Sequence, residues 1–310
     1  CWLLHQWHVI RPRGCLDYLQ LSWWLMKRQG RSLLLATLLC MLSLPVNVTV
    51  ARTLLPETLV QVLGLLLSLF LGFRYSQAYN RWWEARVLWG ALVNESRNWR
   101  DLLTRVLPSQ LPLSLRRRLL QQVVLLMWCL NAELRGFDRE ATVLAPQAHA
   151  LALKLGFKNP CVQRLLQQMA KEQYKLHQDG WLDNVESREF GRVQQAITNA
   201  LGGLERIRHQ PLPASSTFFI RALTWVYGYL VFLKLDAIGP TTTALVGWLV
   251  FLVFLMAERI GTFLEHPFVD ARFALPMDRF CALISFDLLG ASDPLDPLAQ
   301  PSPTKGPWLR

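Results

Sequence analysis

The chain has 310 residues, of which 52% are hydrophobic and 18% charged, with 13 Trp and a formal net charge of +11. A mean hydropathy of +0.21 excludes a typical soluble domain, while that density of charge excludes a bundle wholly embedded in lipid, so the balance predicts an all-α membrane protein with a large wet part. The basic excess does not point to nucleic acid, because the arginines cluster at the ends of apolar segments and no nucleic-acid motif accompanies them.

Residues 1–32 form a basic N-terminal segment in which Arg11, Arg13, Lys27, Arg28 and Arg31 face only Asp17. His5 and His8 are three apart, but without a third ligand they do not make a metal site. The first apolar span covers residues 33–51 and contains Pro45, which neighbouring helices can tolerate inside a membrane. The second, residues 59–73, is uncharged and lies at the short end of what crosses a hydrocarbon core. Arg74, Arg81, Trp82, Trp83 and Arg86 follow at once, as at a cytoplasmic, aromatic-anchored membrane edge.

Two stripes run along this second span. Gly64, Ser68 and Gly72 recur every fourth residue, placing small side chains where another helix backbone can come close. Leu65, Leu69 and Phe73 repeat the same spacing on the adjoining face. Spacing alone leaves two readings open: both stripes are ordinary bundle packing, or the small stripe packs copies into a ring and the bulky stripe faces a central axis.

Residues 74–212 read as helical and cytoplasmic. Within residues 115–135 the unbroken apolar run 123–130 is too short to cross a bilayer, and Gln121, Gln122, Asn131 and Glu133 flank it, so a buried core helix is expected. Phe190, Val193, Ile197, Leu201, Leu204 and Ile207 follow the spacing of an amphipathic helix. Gly180, Gly202, Gly203, Pro211 and Pro213 are expected to break helices. The second transmembrane hairpin, residues 213–257, holds a span over 218–235, with Arg221 and Lys234 near its ends, and an uncharged span over 241–257. Residues 258–290 form a cytoplasmic C-terminal segment, and the Pro-rich residues 291–310 read as a disordered tail. Residues 74–212 carry 20 Lys+Arg against 12 Asp+Glu, a net of +8, while the two hairpin loops lie near neutral. Both termini and the middle region are therefore expected in the cytoplasm, with the cationic span ends holding anionic lipid headgroups.

Signatures of an enzyme are missing. Cys1, Cys15, Cys40, Cys129, Cys161 and Cys281 form no CxxC pair, and neither HExxH, a phosphate loop nor GxSxG occurs. No catalytic residue, cofactor or metal is expected. The sequons at Asn47 and Asn94 lie at membrane depth and in the expected cytoplasm. The chain begins at Cys1 without Met, which reads as a trimmed or partial N-terminus, and no cleavable signal peptide is evident.

The segment LSLFLGFRYSQAYNRWWEAR (67–86), together with ERIRHQPLP (205–213) and LEHPF (264–268) in the same order and spacing, resembles the bestrophin family, specifically its compact bacterial and plant-organelle branch. The resemblance covers about Cys15 to Leu289. It implies a homopentameric channel for monovalent ions, chloride-like anions ahead of cations, in a bacterial inner membrane or alternatively a thylakoid or other organelle membrane. It places the pore neck on Leu65, Leu69 and Phe73, the stripe already singled out by spacing. A second, cytoplasmic constriction falls on the stretch of Leu182, Asp183 and Val185, where the competing reading is a helix end packed on its bundle. Arg81, Trp82, Trp83 and Glu84 match the RWWE signature, read either as an Arg81–Glu84 pair at i, i+3 with interfacial Trp rings, or as a source of field at the cytoplasmic mouth. The stretch HPFVDARFALPMD offers only Asp270 and Asp278, so no calcium clasp of the animal type is expected. Two rival readings lack a pore: a non-conducting, membrane-anchored helical scaffold, and an alternating-access carrier, the latter without the expected inverted repeats.

Overall fold

The computed structural model describes residues 23, 26, 27, 29–43, 56–106, 111–136, 145–236, 241–269 and 274–290. His5, His8, Cys1, Cys15, Pro45, the Asn47 sequon, residues 52–55 of the first hairpin loop, Asp270 and the tail 291–310 lie outside the described residues. Nine helices occur among the described residues, and no strand: α1 (Gly30–Ser43), α2 (Glu57–Arg105), α3 (Leu113–Leu134), α4 (Pro146–Lys154), α5 (Val162–Gln178), α6 (Asn184–His209), α7 (Ala214–Asp236), α8 (Thr241–Leu264) and α9 (Met277–Leu289). They divide into two compact units, residues 1–81 with 211–265 and residues 82–210 with 266–310.

The first unit holds the apolar helices. α2, α7 and α8 are long and apolar enough to cross a membrane. The described part of α1 has 14 residues, about 21 Å at 1.5 Å per residue, and the remainder of its expected span lies outside the described residues. α2 does not stop where its apolar run ends but continues for 49 residues in all. α8 likewise runs on to Leu264, carrying Glu258 within it. Aromatic side chains fill the spaces between these helices, and glycines admit them. Phe251, fully buried, packs with Ala36, Cys40, Phe232 and Leu255, and Gly228 is bare because a methyl there would sit 2.0 Å from the Phe251 ring. Leu67, Leu71 and Ile220 form a second cluster with Phe70, Tyr227 and Phe254.

The second unit is a helical bundle around one core. Residues 123–130 of α3 are all buried, as expected of a core helix. α6 buries the expected stripe of Phe190, Val193, Ile197, Leu201, Leu204 and Ile207 into that same core. Gly180, with φ of +78°, and Pro211 and Pro213 do mark breaks. Gly202 and Gly203 do not: both lie inside α6. A glycine in a helix interior costs about 1 kcal/mol, but at Gly203 the absent methyl leaves room for Leu88, whose Cδ1 would otherwise lie 2.8 Å away. Close approach of α2, not chain reversal, accounts for that residue. α9 is held to α3 by Trp128 donating to Ser285 (3.2 Å) and by Asn131 donating to Asp278 (2.7 Å).

Candidate functional site

The neck candidates lie on one side of α2. Leu65, Leu69 and Phe73 are 69%, 49% and 59% exposed in the protomer, although all three are large and apolar. Leu67 and Leu71, roughly opposite on the helix at 3.6 residues per turn, are buried. The side turned inward thus faces the protomer's own hairpin, and the bulky stripe is left uncovered by the described residues.

The small-residue stripe does not act as one seam within the protomer. Gly64 lies against α7, where a methyl would sit 2.5 Å from the Tyr227 hydroxyl oxygen. Ser68 is exposed and donates to the Leu65 carbonyl (2.8 Å), and Gly72 has nothing within 4 Å of where its Cβ would stand. Among the described residues, only Gly64 of the three is engaged by another helix.

Directly below Phe73 the structure places an ionic cluster. The Arg74 guanidinium, 4% exposed, donates to Glu258 (3.1 Å), to the Thr262 hydroxyl (3.0 Å) and to Glu265 (3.4 Å). Glu258 also lies 3.8 Å from the half-exposed Arg221. Next in sequence, Tyr75 donates its hydroxyl to the Ala257 carbonyl (2.8 Å). Two buried carboxylates near one buried guanidinium are stable only because their hydrogen bonds and the second arginine offset the desolvation; deleting one member of such a group typically costs about 3–5 kcal/mol. Glu258, Thr262 and Glu265 were not candidates from sequence. Their signal was nonetheless present, since spacings of four and three place them on one face at the end of an apolar helix, where a carboxylate requires a cation.

Of the RWWE signature, Arg81 and Trp82 are half-buried and Trp83 and Glu84 exposed. Trp82 packs against the core of the second unit. A described partner of Glu84 is Arg206 of α6, 122 residues further on. The second candidate stretch separates into different roles. Leu182 is 3% exposed and belongs to the bundle core. Asp183 is the N-cap of α6, its carboxylate accepting from the Glu186 N–H (2.6 Å) while the Glu186 carboxylate accepts from the Asp183 N–H (2.9 Å). Val185 is 57% exposed. Asp278 is engaged by Asn131 and by Arg135 (2.9 Å), and among the described residues no three His, Cys, Asp or Glu are placed to hold a metal.

Comparison with known proteins decides the family. The family model described as Bacterial/Fungal Bestrophin protein matches residues 24–289, most of the chain. The chain belongs to the bestrophin family. Among similar members, the voltage-dependent anion channel-forming protein of Mesorhizobium japonicum is 30% identical over 239 residues, covering 75% of each chain. That of Escherichia coli strain K12 is 28% identical over 235 residues, again covering 75% of each. A crystal structure of a bacterial bestrophin homolog from Klebsiella pneumoniae superposes with a TM-score of 0.68 at 27% identity, covering 83% of this chain and 96% of that one. The helical architecture expected from the RWWE, ERIRHQPLP and LEHPF segments is thus that of solved bestrophins.

Proposed function

We propose that this bestrophin is a pentameric ion channel of a bacterial inner membrane, both termini cytoplasmic, whose neck is a ring of Leu65, Leu69 and Phe73 from each subunit. The observation that carries the reading is the exposure of these three bulky apolar side chains on a membrane-length helix whose opposite side is buried in its own hairpin. Lipid covers the apolar side chains that α1, α7 and α8 expose as well, whereas on α2 a ring of copies encloses the stripe. Ser68 and Gly72, open in the protomer, then supply the close contact between neighbouring α2 helices, and lipids surround the outer faces.

An apolar neck has no charges to bind ions, so it opens by wetting and closes by dewetting, and ion preference is set outside it. Small monovalent anions such as chloride are the proposed cargo, in line with the anion channel-forming relatives and with the net positive charge of residues 74–212. Of the three cytoplasmic constriction candidates only Val185 has a side chain free to face an axis, since Leu182 is in the core and the Asp183 carboxylate is committed to a helix cap. The RWWE residues are proposed to be architectural, Glu84 tying α2 to α6 through Arg206.

Planar-bilayer recording of the purified protein under a salt gradient tests this. Expected are single-channel steps with a reversal potential near that of the anion, and an altered unitary conductance in Phe73→Ala. Silence at all voltages, or a conductance unaffected by Phe73→Ala and Leu69→Ala, would support a membrane-anchored scaffold or a pore elsewhere.

A further inference from the structure

We propose that Glu258, Thr262 and Glu265 are positioning residues of the neck, holding α2 through Arg74 so that the rotation of Phe73 is set by the cytoplasmic end of α8. The inference rests on the neck reading and adds to it a gating element outside the pore. Arg74 follows Phe73 directly, so its side chain leaves the helix about 100° from the phenyl ring, and α2 cannot turn at one position without turning at the other. Three acceptors at 3.0–3.4 Å hold that guanidinium, all on α8 or the residue just past it. Tyr75 adds a fourth attachment to the same helix end at Ala257. The Arg74 stem also runs alongside Gly261, passing 3.7 Å from where its Cβ would be. Nothing comparable is needed for helix packing, because Leu67, Leu71 and Ile220 already supply it a turn earlier. A dewetted neck stays shut only while its bulky side chains keep a fixed distance from the axis, so loosening the latch gives α2 freedom to turn and increases the time the neck is wet.

The test compares full-length channels in planar bilayers: wild type, Glu258→Gln, Glu265→Gln, Thr262→Val and Phe73→Ala. In Glu265→Gln and Thr262→Val the open-to-closed ratio is expected to rise about tenfold to a hundredfold, the range set by losing one charge-assisted hydrogen bond, with unitary conductance, reversal potential and oligomer size unchanged. A residue that merely stabilised the fold would lower the yield of assembled channels and leave that ratio alone. Glu258→Gln should have the largest effect; if it does not assemble, Thr262→Val, which removes no charge, carries the test. An unchanged or lower ratio in both Glu265→Gln and Thr262→Val, with Phe73→Ala still altering conductance, overturns the latch alone. A Phe73→Ala channel of unaltered conductance overturns the neck reading and the latch together.

Discussion

Gly228→Ala tests the packing that holds the α7–α8 hairpin, and so the frame on which α8 presents Glu258. Helix propensity favours the change by about 1 kcal/mol, because alanine loses less backbone freedom than glycine. Packing opposes it. The new methyl would lie 2.0 Å from Cδ2 of Phe251, 2.6 Å from Cε2 and 2.7 Å from Cγ, so the whole ring must move rather than one flexible end. That ring is fully buried and sits edge-on to Trp225 at 5.5 Å between centroids, leaving it no vacant direction. Overpacking of this kind costs about 1–3 kcal/mol, and a clash with a wedged ring belongs at the upper end, so the net loss is about 2 kcal/mol. Thermal unfolding in detergent, followed by circular dichroism, should therefore fall by about 4 °C or more. Phe251→Leu opens the space the methyl needs, so the double variant should be less destabilised than the two single losses added, with a coupling of about 1 kcal/mol or more. A Gly228→Ala protein that melts higher than wild type, or strictly additive losses, would refute the close approach of these two helices.

The small-residue stripe separates in the same way. Gly64→Ala, meeting Tyr227, should lower the melting temperature; Gly72→Ala should leave protomer stability within about 0.5 kcal/mol but reduce the fraction of the proposed pentamer in native mass spectra. Asp183→Ala should cost about 1 kcal/mol of stability through loss of the α6 capping box and leave the reversal potential unmoved, whereas a shifted reversal potential would restore an acidic ring at that position. Burial pushes the Cys129 and Cys281 thiols above their ordinary range, which lowers their thiolate fraction at pH 8. Alkylation of the folded protein at pH 8, mapped by peptide mass, should therefore reach the half-buried Cys161 well before either, and equal rates would contradict the packing of α3 against α9.

Local periodicity was legible wherever one helix face meets one environment. The α6 stripe from Phe190 to Ile207 and the buried run 123–130 of α3 are of this kind, since burial of alternating turns can be read without knowing the partner. Pairings across long chain separations were not. Glu84 has Arg81 three residues before it, a geometry any helix allows, yet a described partner is Arg206, which tertiary folding alone could supply. Gly203 reads as a break by composition, and only the approach of Leu88 explains it as a contact. For the candidate second constriction, sequence named a stretch and could not divide it, because a core Leu, a capping Asp and an exposed Val at neighbouring positions differ in surroundings rather than in pattern.

The same distinction explains why spacing left two readings of α2 open and what resolves the choice between its faces. Leu65, Leu69 and Phe73 are bulky and apolar, but so are Leu67 and Leu71 on the opposite side, and hydropathy cannot say which set the protomer covers. Arg74 can. A guanidinium at the end of an apolar segment is stable only beside carboxylates or in water, and the carboxylates available to it in this chain sit at the end of α8, Glu258 and Glu265. Leu67, Leu71 and Arg74 share one face at spacings of four and three, so once Arg74 is drawn to α8 that face is committed to the protomer's own hairpin. The bulky stripe is thereby turned away from the described residues of the protomer, toward lipid or further copies of the chain. The residue that fixes which face of α2 is left for the proposed neck is thus a charged one outside the stripe, and replacing it with Leu should blur the orientation of α2 even though the helix would become more apolar.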